Sequence, residues 1–122
     1  MSEKSFATSL SCIDDRVQLP MINWIKEKYL VDYVDTITAP GIDKVISDND
    51  VQSIKKSVMI SVSNHKSSHI VISGHFGCAG NPVSDEEHFA QIKKSVEVVN
   101  SWNLNVDVIG VWIDENFVPN LL

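Results

Sequence analysis

The chain has 122 residues, a formal charge of −6 and 43% apolar residues, enough to bury one core without disulfide staples and hence a single domain over residues 1–122. The acidic balance excludes a nucleic-acid partner, whose phosphates need a basic patch. No segment approaches the roughly 20 continuous apolar residues of a membrane span, and the polar start Met1-Ser2-Glu3-Lys4-Ser5 lacks the apolar run of a secretory signal. A cytoplasmic protein with no membrane partner is expected, in which two cysteines are thiols or metal ligands rather than a structural disulfide.

Residues 5–11 alternate Phe6, Thr8 and Leu10 with small residues and lead into Cys12, the pattern of a short strand. Leu19-Pro20 then places a proline where a first helical turn tolerates one, with Val17, Met21, Trp24, Ile25 and Lys28 at helical spacing up to Tyr29. Residues 33–38 are compact and β-branched, a second strand closed by Ala39-Pro40-Gly41. After a short helical turn at residues 44–46, Asp48 or Asn49 is expected to cap a longer helix carrying Val51, Ile54, Val58, Met59 and Val62.

The run Ile70-Val71-Ile72, bounded by Ser68 and Gly74, predicts a third strand over residues 69–73, buried on both faces. Ser84 and Glu87 form a capping box for another long helix with Phe89, Ile92, Val96 and Val99 along one face. Residues 106–113 supply a fourth strand, and residues 116–122 add a short antiparallel edge or a tail. This alternation predicts an α/β fold of three layers, a mainly parallel β-sheet of four to five strands flanked by helices, with right-handed crossovers.

On that topology Cys12 ends the first strand, while His75 and Cys78 fall just beyond the third. The crevice between those two strands is the topological switch point at which such folds bind ligands. Cys12, Asp14 and Arg16 spell C-x-D-x-R; His75 and Cys78 spell H-x-x-C; together they hold both cysteines and the sole arginine. Two thiolates and an imidazole suit one Zn²⁺ per chain, with Zn–S near about 2.3 Å and Zn–N near about 2.0 Å. Gly74, Gly77 and Gly80 allow the tight turns that aim His75 and Cys78 inward.

Three protein ligands leave a fourth position for water, whose pKa can fall to about 7 on zinc. Asp14 would orient the resulting nucleophile, and the Arg16 fork would pair with that carboxylate and keep it off the metal. With the pair broken, Asp14 could close the site as fourth ligand. Asp15 starts the following helix or faces solvent. A metal-free redox pair of Cys12 and Cys78 is the competing reading of the thiols. His65 and His69 are expected to be exposed, His88 a surface or packing residue, and Trp24, Trp102 and Trp112 packing or subunit contacts.

With C-x-D-x-R at Cys12, Asp14 and Arg16 and G-H-x-x-C at Gly74, His75 and Cys78, the chain resembles the β-class carbonic anhydrases over roughly residues 5–115. The resemblance implies reversible hydration of carbon dioxide to bicarbonate, zinc on Cys12, His75 and Cys78, and Asp14 with Arg16 as the gating dyad. It also implies a homodimer or higher homo-oligomer with sites at the subunit interface. Only eleven residues precede Cys12, none of them glutamine, so the family's N-terminal arm and bicarbonate-binding glutamine are expected to be absent. The C-terminal extension is likewise expected to be missing, and Cys78 is followed by Ala79-Gly80 where the family usually has glycine directly. Thr38-Ala39-Pro40-Gly41 stands where the family has R-N-A-G. These departures leave two alternatives: hydrolysis of carbonyl sulfide or carbon disulfide, or a zinc- or anion-binding protein without turnover.

Overall fold

A computed structural model describes residues 3–122; Met1 and Ser2 of the polar start lie outside the described residues. The elements run β1 (Phe6–Ser11), α1 (Asp15–Tyr29), β2 (Tyr33–Thr38), α2 (Ile42–Ser47), α3 (Gln52–Asn64), β3 (His69–His75), α4 (Asp85–Asn100), β4 (Asp107–Ile113) and β5 (Pro119–Leu121). The strands form one sheet in the order β2-β1-β3-β4-β5. Its first four strands are parallel, and β5 closes the edge antiparallel to β4, which settles the C-terminal residues as an edge strand.

The apolar run of β3 divides by the strand period of two. Val71 joins Ala7 and Val111 under Val17, Met21 and Ile25 of α1. Ile70 and Ile72 face the other way with Leu10, against Ile42, Ile46, Ile54, Val58 and Val99 of α2, α3 and α4. Both faces are covered, giving the three layers. Among the described residues no helix is long and apolar enough to cross a membrane.

Local starts and stops differ from the sequence expectation in four places. Asp14 caps α1 by accepting the Arg16 N–H, so that helix begins at Asp15 and Pro20 lies inside it rather than in the first turn. The strand β3 continues to His75. Neither Asp48 nor Asn49 caps α3: Asp48 ends α2, Asn49 takes a left-handed φ of 61°, and Val51 occupies the cap without a side-chain bond. In α4, Ser84 caps through the Glu87 N–H, but the buried stripe is His88, Ile92, Ser95 and Val99. His88 is therefore a core residue, turned inward with the apolar face. His65 is exposed as expected, and His69 is half-buried against Tyr29.

Candidate metal centre

Because β1 pairs with β2 on one side and β3 on the other, the chain leaves its carboxyl end at the reversal of strand order. Cys12 follows β1 directly, His75 is the last residue of β3, and Cys78 sits on the turn beyond it. One ligand atom from each lies within 4.8 Å of the others. All three are nearly inaccessible, at 6%, 2% and 4% exposure. The two sulfurs are 3.9 Å apart. Two thiolates on one tetrahedral zinc at about 2.3 Å each stand roughly 3.8 Å from one another, whereas a disulfide needs about 2.05 Å.

The imidazole is set up for the same task. His75 Nδ1 lies 2.9 Å from the Phe76 carbonyl, which can only accept, so Nδ1 carries the hydrogen. That leaves Nε2 as the ligating atom in the neutral ring. Nε2 is buried and makes no well-formed hydrogen bond among the described residues. Two soft sulfurs and a bare ring nitrogen form a donor set that fits zinc.

Charge at the trio is coupled. Burial pushes the Cys12 thiol up, but the His75 ring, the amides of Gly41 and Asp14 and the His75 charge outweigh it and bring the thiol down to about 7. Burial and the neighbouring Cys12 push Cys78 up to about 11. In the metal-free protein Cys12 and His75 thus favour each other's charged forms: burial lowers the imidazole, but Cys12, the Phe76 carbonyl and the Asp14 charge raise it overall.

Asp14 stands outside the trio and belongs to Arg16. The guanidinium forks onto it, Nη2 to Oδ2 at 2.6 Å and Nε to Oδ1 at 3.0 Å, and holds the carboxyl down at about 2. No Asp14 oxygen joins the three ligand atoms that gather within 4.8 Å of one another. Two contributors were not foreseen. Gln18, one turn into α1, donates from Nε2 to the Cys12 carbonyl at 2.7 Å. Phe117 places its ring 5.2 Å from the Arg16 guanidinium carbon, and no local pattern announces that contact.

Comparison with known proteins agrees with this geometry. The chain matches over residues 2–122 a family described as "Putative carbonic anhydrase". No curated protein sequence matches it. Among solved structures, it is similar to β-carbonic anhydrase isoform I of Trichomonas vaginalis, at 18% identity and TM-score 0.65, over 99% of this chain and 86% of that one. A carbonic anhydrase of Glaciozyma antarctica matches at 14% identity and TM-score 0.60, over 93% and 80% of the two chains. The β-carbonic anhydrase CafA of Aspergillus fumigatus matches at 17% and 0.53, over 99% and 76%. At these identities the solved structures establish the fold, and the family match over nearly the whole sequence establishes the kinship: the chain belongs to the carbonic anhydrase family that this model describes.

Proposed function

We propose that the chain is a zinc-dependent lyase that hydrates carbon dioxide reversibly to bicarbonate, with Cys12, His75 and Cys78 as ligands and Asp14 and Arg16 as catalytic residues. The observation that carries this reading is the bare His75 Nε2 gathered with two sulfurs 3.9 Å apart, while Arg16 holds Asp14 aside. Zinc in that position would supply Lewis acidity, lowering the pKa of a bound water to about 7.

The chain's own groups do the rest. Asp14, kept ionised by Arg16, is a hydrogen-bond acceptor that fixes the direction of the attacking oxygen. Arg16 turns its Nε and Nη2 donors onto that carboxylate and so keeps it from swinging onto the ligands. Ile13 and Phe76, next in the chain to Cys12 and His75, are exposed and suit an uncharged, linear substrate better than a charged one. By kinship the protein is expected to act as a homodimer or higher homo-oligomer.

Elemental analysis of purified protein, paired with stopped-flow carbon dioxide hydration from about pH 7 to 9, tests the reading. About one zinc per chain and activity rising with pH, lost in Asp14→Ala, supports it. Zinc with turnover only of carbonyl sulfide or carbon disulfide moves the substrate to those molecules. Zinc with no turnover leaves an anion-binding scaffold, and protein without zinc, prepared free of chelator, ends the metal reading.

A further inference from the structure

The three ligands are not equally well held. Cys12 continues from β1, and His75 lies within the β3 ladder opposite Ile113. Cys78 sits on a turn outside the sheet. Its backbone anchors there are the Phe76 N–H to the Ile113 carbonyl and the Asn81 N–H to the Cys78 carbonyl, at 2.9 and 3.3 Å. What fixes Asn81 therefore fixes Cys78.

Asn81 is 1% exposed and is bound through its side chain. Its Nδ2 donates to Asp43 Oδ1 on α2 at 3.1 Å and to Gln91 Oε1 on α4 at 2.6 Å. His88 Nδ1 lies 2.6 Å from Asp43 Oδ2; the carboxylate accepts, so that nitrogen carries hydrogen and cannot also accept from Asn81 at 3.5 Å. Asp43 and His88 are 1% and 2% exposed, and the Lys44 N–H donates to Asp43 Oδ1 at 3.1 Å. A buried carboxylate is tolerable only with such a full set of donors. The backbones close in around this cluster: a Cβ on Gly41 would lie 2.7 Å from Asn81 Cβ, and one on Gly80 would lie 3.0 Å from the Gly41 nitrogen.

We infer that Asn81, fixed by Asp43 and, through it, by His88, is the positioning residue for Cys78, tying the turn after β3 to α2 and α4. The same contact joins the Gly80–Asn81 backbone to Gly41, whose amide serves the Cys12 sulfur, so the surroundings of both thiolates are held as one piece. The inference rests on the reading of the trio as a metal centre. No atom of Asp43, His88 or Gln91 has to reach the metal for the role to hold.

The test uses the full chain with Asn81→Ala, and reads zinc affinity by chelator competition, the thiolate-to-metal charge-transfer band with cobalt(II), and amide hydrogen exchange over residues 76–82 in metal-free protein. Zinc binding about ten- to hundredfold weaker, a shifted cobalt band and faster exchange confined to that turn are expected. His88→Asn retains a donor near the Nδ1 position and should keep affinity close to the parent, whereas His88→Leu should follow Asn81→Ala. Should Asn81→Ala not fold, Gln91→Met, at a half-buried position, gives a smaller loss in the same direction. Thr8→Val, which breaks the buried hydroxyl cluster with Ser61 and Ser67, should lower melting without changing zinc affinity. Asn81→Ala with parental affinity, cobalt band and exchange overturns the inference. Should the parent bind neither metal, the functional reading fails, and the exchange measurement still decides the role of Asn81.

Discussion

The guanidinium of Arg16 lies over the ring of Phe117, 5.2 Å from carbon to centroid, so the Asp14–Arg16 ion pair is held from the segment that follows β4. Phe117 reaches that place at a backbone cost. Its φ is +59°, a left-handed conformation that disfavours any side chain and a bulky one most. The turn that imposes it is closed by Asp114, whose Oδ1 accepts the N–H groups of Asn116 and Val118 at 2.9 and 3.0 Å. Phe117 also packs against the α1 side of the core.

Substitution at Phe117 separates strain from packing. Alanine and glycine both remove the ring, but only glycine relieves the left-handed backbone. Phe117→Gly should therefore be more stable than Phe117→Ala by about 1 kcal/mol in urea unfolding. Equal midpoints would show that the turn carries no strain. Both variants should loosen Arg16, which loses its cation–π contact.

Asp14 has two jobs that mutation can divide. It caps α1 through the Arg16 N–H at 3.0 Å, and it carries the charge that Arg16 pairs. Asn keeps a cap and Ala does not, so Asp14→Ala should lose about 1 kcal/mol at neutral pH and Asp14→Asn much less. Both should abolish turnover. The Arg16 pair depresses the Asp14 carboxyl to about 2, below the ordinary value of about 3.9. Its stabilisation is thus complete above that ordinary value and is lost as pH falls through about 2. Asp14→Asn should flatten that part of the acid-unfolding curve, as read by urea midpoints over the acid range.

The grouping of Cys12, His75 and Cys78 was legible because Cys12 follows β1, His75 ends β3 and Cys78 lies on the turn just beyond it, and β3 is marked locally by the run Ile70-Val71-Ile72 and the Gly74 that follows. Asp14 and Arg16 lie within the same short motif. The Asp43–His88 pair joins residues 45 apart in sequence, and neither has a neighbour that announces the other. The α4 stripe carried a signal all the same. His88, Ile92, Ser95 and Val99 recur at three- and four-residue steps, and choosing Phe89 over His88 rotates the face by one residue, about 100°. That choice follows from treating histidine as polar, which fails when a buried carboxylate supplies its partner. The α3 cap failed for a related reason: Asp48 and Asn49 were already committed to ending α2.

Metal-free protein should show strongly unequal thiols. Cys12 is brought to about 7 although burial raises it, because His75 and nearby amides favour the thiolate. Cys78 is raised to about 11 by burial and by that neighbouring charge. Alkylation followed by peptide mass mapping should label Cys12 first, with a rate that inflects near pH 7, and Cys78 only in far more alkaline solution. Zinc should protect both, and His75→Ala should move the Cys12 inflection upward. Equal labelling across this range would remove the His75–Cys12 pairing.

Gly74 gives the sharpest test of how the buried Asp43–His88 pair meets β3. It precedes His75 in β3 and pairs with Trp112 across the β3–β4 ladder. A Cβ there would lie 2.6 Å from Asp43 Oδ2 and 2.9 Å from Ile92 Cδ1. The tip of Ile92 can turn away, but Asp43 Oδ2 is held by His88 and cannot retreat without uncovering a buried charge. Gly74→Ala should therefore cost about 2–3 kcal/mol, at the upper end of overpacking. In an Asp43→Ala background the obstructing oxygen is gone, and the same substitution should cost at least about 1 kcal/mol less. A double-mutant cycle in urea reads that difference directly. Strict additivity would mean that the strand, not the carboxylate, yields to the added methyl group, and that His75 is less firmly seated than the ladder implies.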